Sequence, residues 1–184
     1  PYTGTWKNRK SSSKFLAFGK RKSSTDIVLV HDNYGTWNIF CSGQVKEIEL
    51  AGFSFDREGE FDYKCIMQSD EKIASLIVMP YKQPKFAIGE PIQNRDVFIT
   101  LPGGRELEAS SIHRTVSNKR ELPSPVGFAI KSNNNILGGL GRLDKKNVIL
   151  LSSGVIATED EHYVFMSALG LWFFRNNDGK SGMN

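Results

Sequence analysis

The sequence predicts a mainly β domain. Its apolar residues occur in short runs of strand length, turn-forming residues separate most of the runs, and few windows show a helical repeat. The runs are DIVLV (26–30), GTWNIFC (35–41), KEIEL (46–50), EFDYKCIM (60–67), ASLIVM (74–79), DVFITL (96–101), PVGFAI (125–130), KNVILL (146–151) and HYVFMSALGLWFF (162–174). Many short strands of this kind are typical of a β-sandwich or a β-barrel.

Segments rich in Gly, Pro and Asn mark the turns between these runs. They are DNYG (32–35), LPGG (101–104), SNNN (132–135) and NNDG (176–179). The segment SNKRELPSP (117–125) is the best candidate for a longer connection between two halves of the domain.

Two segments depart from the strand pattern. The segment SSKFLAFG (12–19) predicts a short N-terminal helix that ends at Gly19. The run 162–174 is long enough for a helix as well as for a strand, so the sequence leaves a C-terminal helix open.

The composition indicates a folded chain of one domain or two small lobes. The 184 residues are 39% hydrophobic and include 12 Phe, which excludes global disorder. No apolar stretch approaches the ~18 residues of a membrane span, and the start PYTGTWKNRK lacks the apolar core of a secretory signal. Cys41 and Cys65 are too few for a disulfide framework, and no Cys/His cluster has zinc-like spacing. We therefore expect no disulfide framework, a reducing cytosolic setting, and neither a metal nor a cofactor.

Positive charge is concentrated in a basic N-terminal segment, residues 1–25, which precedes a folded domain at 26–184. All the cations of this segment come before the first acid, Asp26; they are Lys7, Arg9, Lys10, Lys14, Lys20, Arg21 and Lys22. Such a run, mixed with Ser and Phe, is typical of a chain that follows the phosphates of RNA or lies on an anionic membrane surface. The alternative is a solvated leader that only improves solubility.

Short motifs for other chemistry are incomplete. The sequence DYK (62–64) fits half of a metal-dependent nuclease site, with Asp56 or Glu60 as a second carboxylate for Mg²⁺, and a nuclease stays open as an alternative. The sequence GGLGRL (138–143) lacks the third glycine of a dinucleotide fingerprint and the Lys-Ser/Thr pair of a P-loop.

The order of the runs resembles that of the chymotrypsin-fold cysteine proteases of picornaviruses and their relatives. The segments VHDN (30–33) and GTWNIFCSG (35–43) are similar to the strand and turn that carry the catalytic histidine of this family. The segment YKQPKFAIG (81–89) resembles the family's RNA-binding loop, and GFAIKSNNNILGGLGRL (127–143) resembles its nucleophile loop.

The resemblance implies a two-barrel chymotrypsin-like fold. Barrel one would span about 26–85 and barrel two about 92–175, after the short N-terminal helix.

The catalytic triad of the family is not retained at the matching positions. Gly43 stands at the histidine position, Ala74 at the acid position and Leu137 at the nucleophile position. Gly138 and Gly139 would keep the tight turn of the nucleophile loop. Acyl transfer needs a nucleophile, a base and a group that orients the base, and Gly, Ala and Leu supply none of these. The resemblance therefore implies a pseudoprotease.

The predicted function is non-catalytic. We expect a protease-like domain of a viral polyprotein that acts in the host cytoplasm by binding RNA or as an interaction scaffold. The residues expected to contact RNA are Lys7, Arg9, Lys10, Lys14, Lys82, Lys85 and Phe86. Two further alternatives stay open. One is a basic jelly-roll coat or movement protein, and the other is an active viral chymotrypsin-like cysteine or serine protease that uses His31 with Cys41, Cys65 or Ser153.

Overall fold

The computed structural model describes the backbone of residues 1–15, 18–50, 53–56, 62–79, 92–114, 121–143, 146–156 and 158–177. It describes the side chains of residues 1–12, 22–44, 62–79, 92–114, 121–141, 146–156 and 158–174. No helix within these ranges is long and apolar enough to cross a membrane.

Eleven strands and one α-helix make up the described fold. The strands are β1 (Tyr2–Phe15), β2 (Phe18–His31), β3 (Gly35–Leu50), β4 (Phe53–Asp56), β5 (Asp62–Ser69), β6 (Lys72–Val78), β7 (Asp96–Thr100), β8 (Glu106–Ile112), β9 (Gly127–Ser132), β10 (Asn135–Leu143) and β11 (Lys146–Leu151). The helix α1 spans Glu159–Asn177, and a single 3₁₀ turn at Pro102–Gly104 follows β7.

The strands form one antiparallel meander. The order across the sheet is β1-β2-β3-β5-β6-β7-β8-β9-β10-β11, and β4 pairs with the C-terminal end of β3. The prediction of a mainly β fold is confirmed. The division into two barrels, about 26–85 and 92–175, is not confirmed. One sheet runs through both ranges, and among the described strands β1 and β11 do not pair with each other.

The N-terminal segment is a hairpin of two long strands. β1 and β2 pair along their whole length, from Tyr2 opposite His31 to Phe15 opposite Phe18. The predicted helix over 12–19 is therefore wrong. Serine has only a modest helix propensity, so cross-strand pairing decides the conformation of this segment. Most of the basic N-terminal segment is thus part of the sheet.

The ambiguous run 162–174 is helical and is enclosed by the sheet. Helix α1 packs against β3, β5, β9, β10 and β11. On the other edge, the rings of Tyr2 and Phe165 lie 4.0 Å apart between centroids, and those of Trp6 and Phe173 lie 6.3 Å apart. Because one helix about 10 Å wide contacts both edges of the sheet, the sheet curves around it. Burial on nearly all sides explains why the run shows no polar face.

Glycines in β10 allow the sheet and the helix to approach closely. A Cβ on Gly138 would lie 2.5 Å from the carbonyl oxygen of Leu150 and 2.8 Å from Cγ1 of Val164 on α1. Gly138 and Gly139 lie within β10, so the expected tight turn at these glycines is wrong. The reversal lies at 133–134, where both asparagines have positive φ, a conformation that Asn tolerates better than most residues.

Cys41 and Cys65 form a disulfide in the core. They lie directly opposite each other on β3 and β5, both are fully buried, and their sulfur atoms are 2.01 Å apart. This disulfide was not predicted from the sequence. The register of β3 and β5 brings together two residues that are 24 positions apart in the sequence. The number of cysteines alone does not predict that register.

Candidate nucleic-acid interface

Side chains alternate between a buried inner face and an exposed outer face of the sheet. In β5, Tyr63, Cys65 and Met67 are buried, whereas Lys64 and Ile66 are exposed. Residues that lie opposite each other on neighbouring strands share a face. The residues that are paired in register with Lys64 and Ile66 therefore lie on the same outer face, on each strand from β1 to β7.

Several rows of residues cross this outer face, and we call the three that lie nearest its basic end the outer-face rows. The first row, from β1 to β7, is Arg9, Ser24, Ser42, Lys64, Ile77 and Phe98. The second row is Lys7, Asp26, Phe40, Ile66, Ser75 and Thr100. The third and shorter row is Ser11, Lys22, Gln44 and Asp62.

Four large apolar side chains form an exposed patch in the outer-face rows. Phe40 is 44% exposed, Ile66 43%, Ile77 46% and Phe98 50%. Phe40 lies opposite Ile66, Ile77 lies opposite Phe98, and the two isoleucines are diagonal neighbours on β5 and β6. We call these four residues the apolar patch. Contiguous exposed apolar side chains of this kind mark interaction surfaces.

Cations border the apolar patch, most of them on its β1 side. The exposed cations of the outer-face rows are Lys7, Arg9, Lys22 and Lys64. The same rows carry two carboxylates, Asp26 and Asp62, and Arg9 Nη2 lies 3.2 Å from Asp26 Oδ2. Four cations against two carboxylates give this half of the outer face a positive potential.

An open cavity of about 650 Å³ lies at the basic end of the patch. The side chains in its wall include Lys22, Ser42, Gln44, Asp62, Lys64, Ile77 and Met79. Cations on β2 and β5 thus face the same space as apolar side chains on and just after β6. A nucleotide needs both features, because cations contact its phosphate and an apolar surface contacts its base.

Only part of the predicted RNA-binding set is brought together by the structure. Lys7 and Arg9 both lie on the outer face. Lys10 is exposed but lies opposite Ser23, which is buried, and therefore points to the other side of the hairpin. The remaining predicted contacts lie outside the described side chains and stay predictions: Lys14, Lys82, Lys85 and Phe86.

Sequence reasoning missed the centre of the surface. It placed Lys64 in a nuclease motif and left Phe40 and Phe98 without a role. A signal was present, because strand alternation puts Phe40 and Lys64 on the face opposite to Cys41 and Cys65. The sequence does not show which face is covered, since that depends on where the helix packs.

The nuclease half-motif lies partly on this surface. Asp62 and Lys64 are exposed in β5, and the side chains of Asp56 and Glu60 lie outside the described ranges. The described residues contain no group of three or more His, Cys, Asp or Glu side chains that is placed to hold a metal ion.

The three positions that match the protease triad lie on three different strands. Gly43 is in β3 opposite Tyr63, Ala74 is buried in β6, and Leu137 is half-buried at an irregularity of β10. β7, β8 and β9 lie between β6 and β10 in the sheet. The three positions are therefore not neighbours in the strand pairing.

We expect no peptide hydrolysis by this chain. Leu137 offers no nucleophile, and Cys41 and Cys65 have no thiolate while they are joined. A thiol- or serine-directed covalent probe, applied without reductant, should leave the intact mass unchanged, and a peptide library should remain uncleaved. Cleavage that disappears in a Ser153→Ala variant would show that the chain is an active protease.

A second polar feature lies on the inner face at the start of α1. The rings of Tyr2 and Tyr34 lie 5.8 and 4.8 Å from that of His162. His162 is 1% exposed, its Nδ1 lies 3.4 Å from Tyr2 Oη, and its Nε2 has no hydrogen-bond partner among the described residues. The pKa of His162 is lowered to about 4, chiefly by burial; the charges of His31 and Lys72 also lower it, and those of Glu159 and Glu161 partly oppose the shift. His162 is therefore held neutral in an aromatic surrounding.

The chain matches no protein-family model, no curated protein and no solved structure. The interpretation of the outer face therefore depends on its own geometry and charge.

Proposed function

We propose that this chain is a non-catalytic RNA-binding domain and that its outer-face rows contact the RNA. The observation that carries the proposal is an exposed apolar patch bordered by cations on one continuous sheet face. The two-barrel architecture and the viral polyprotein origin implied by the protease resemblance remain separate proposals, and RNA binding by this face requires neither.

Phosphates would contact the basic end of the rows. Lys22 and Lys64 both line the open cavity, and Arg9 and Lys7 extend the basic region to β1. Each cation that neutralises a phosphate releases a condensed counterion, so binding becomes weaker as salt concentration rises. Fixed cations on a rigid sheet would set the position of the strand without reading its sequence.

Polar side chains between the cations favour RNA. Ser24 and Ser42 lie between Arg9 and Lys64 in the first row, and Gln44 lies next to Lys22 in the third. Hydroxyl and amide groups both donate and accept hydrogen bonds, as does the 2′-hydroxyl of ribose. These side chains supply partners that a 2′-hydroxyl can use at the basic end of the rows.

Neutralising two of these cations should weaken RNA binding. We expect the double variant Lys22→Gln/Lys64→Gln to lose about tenfold in affinity for a short single-stranded RNA at physiological salt, and its salt slope to fall by about 1.4. Fluorescence anisotropy with an end-labelled RNA across a salt series measures both quantities.

The matched control is the double variant Lys72→Gln/Lys146→Gln. It removes the same charge, but Lys72 lies on the inner side of β6, and Lys146 lies at the start of β11, four strands beyond β7 in the sheet. The control should bind like the unchanged protein. Equal losses in both variants would indicate an unspecific charge effect and contradict the proposed surface. Binding to anionic lipid vesicles with no binding to RNA would assign the face to a membrane instead.

A further inference from the structure

We infer that the outer face selects single-stranded RNA. The RNA runs across the sheet, from the cations on β1, β2 and β5 toward Phe98 on β7. This inference rests on the proposed function and names its ligand more narrowly. It assigns the bases to the apolar patch and the phosphates to the four cations of the outer-face rows, Lys7, Arg9, Lys22 and Lys64.

A duplex does not fit the apolar patch. Duplex RNA presents phosphates and riboses on its outside and keeps the faces of its bases stacked within the helix. Phe40, Ile66, Ile77 and Phe98 would then lie against a charged backbone. Unpaired bases have free apolar faces, and aromatic side chains on a sheet are suited to contact them.

The spacing of the two phenylalanines indicates an extended strand. Phe40 on β3 and Phe98 on β7 are three strand steps apart, and the register offsets them by two residues along the strands. With strand spacings of about 4.8 Å and a rise of about 3.4 Å per residue, the two positions are about 16 Å apart along the sheet. Stacked bases are only about 3.4 Å apart. The two rings therefore contact separate bases, and Ile66 and Ile77 lie between them.

Carboxylates mark the end of the path. Glu108 lies opposite Phe98, and Glu106 lies opposite Thr100, both on the outer side of β8. Both glutamates are exposed. A phosphate over β8 would meet these two negative charges, which the single cation opposite Glu108, Lys131 on β9, does not balance, so the strand ends or turns away at Phe98. The RNA therefore covers the outer face from the cations on β1 as far as β7, and the acids on β8 mark the limit of the covered part.

The test compares one labelled RNA in two forms, single-stranded and annealed to its complement. We expect the single strand to bind at least tenfold more tightly. The Phe40→Leu/Phe98→Leu variant keeps apolar side chains but removes both rings, and it should lose about tenfold in affinity for the single strand. The Phe40→Ala/Phe98→Ala variant should lose about a hundredfold. Neither variant should change the salt slope, because no phosphate contact is removed.

The control is Ile136→Ala/Leu150→Ala, which removes two large apolar side chains from β10 and β11 that are more exposed than the two phenylalanines. It should bind the single strand normally. Duplex binding as tight as single-strand binding, or phenylalanine variants that bind normally, would overturn the inference and leave RNA binding intact. Absence of binding to either form would overturn the proposed function itself. Thermal unfolding of each variant shows whether a loss of binding reflects a loss of fold.

Discussion

Replacing Cys41 and Cys65 together by alanine should lower the free energy of unfolding by about 3.5 kcal/mol. The disulfide closes a loop between residues 24 positions apart, and a cross-link of this length removes many conformations from the unfolded chain. It also joins two neighbouring strands at two fully buried positions. Urea unfolding followed by the fluorescence of the three tryptophans measures the loss.

Reduced protein that is otherwise unchanged is the control for the alanine variant. Reduction breaks the S–S bond and removes no heavy atom of either side chain. It therefore separates the effect of the cross-link from the effect of the cavity that alanine would leave. We expect reduced protein to be less stable than oxidised protein and the variant to be insensitive to reductant. Identical unfolding curves with and without reductant would contradict a disulfide between β3 and β5.

Lowering the pH from 6.5 to 4 should cost about 3 kcal/mol of stability through His162 alone. The pKa of His162 falls from its ordinary value of 6.5 to about 4 in the folded protein, chiefly because of burial. Between pH 6.5 and 4, His162 therefore binds a proton in the unfolded chain but not in the folded chain. Well above pH 6.5 His162 is neutral in both states and its contribution to stability is complete. It is lost as the pH falls toward 4, and below 4 the loss from this residue reaches its limit.

A His162→Phe variant isolates this effect. Phenylalanine keeps an aromatic ring among Tyr2, Tyr34 and Trp37, and it does not titrate. The difference in unfolding free energy between the two proteins should change by about 3 kcal/mol across this interval and remain constant above it. Parallel pH profiles for the two proteins would show that His162 is not the group responsible.

Much of the sheet was predictable because its strands are local and apolar. The run DVFITL begins at the same residue as β7, and KNVILL coincides with β11. Each strand pairs with a strand close by in the sequence, so the turn-forming residues between the strands were enough to indicate which strands are neighbours. The first hairpin was missed because β1 is an edge strand rich in Ser and Lys, without the apolar alternation of a covered strand.

The helix and the site show where local patterns stop being sufficient. Helix α1 is surrounded by the sheet, so its sequence lacks the polar stripe that identifies a helix. The charge run named Lys7 and Arg9, and they share the outer face because alternate residues of a strand do so, which follows from the strand and not from the charge run. Lys64 lies on the same face as Arg9 only because of the register of four strands, β1, β2, β3 and β5. A short stretch of sequence does not show that register.

The position of α1 at the end of the fold has a consequence for biosynthesis. Ribosomes release the strands first, and the hairpins can pair as they emerge, because each needs only its neighbour. The inner face of the nascent sheet stays uncovered until Glu159–Asn177 has been made. Nascent chains therefore carry a large apolar surface and two open strand edges until α1 has been made, features that favour aggregation and chaperone capture. Chains truncated before Glu159 should retain strand pairing but lack the element around which the sheet closes its core.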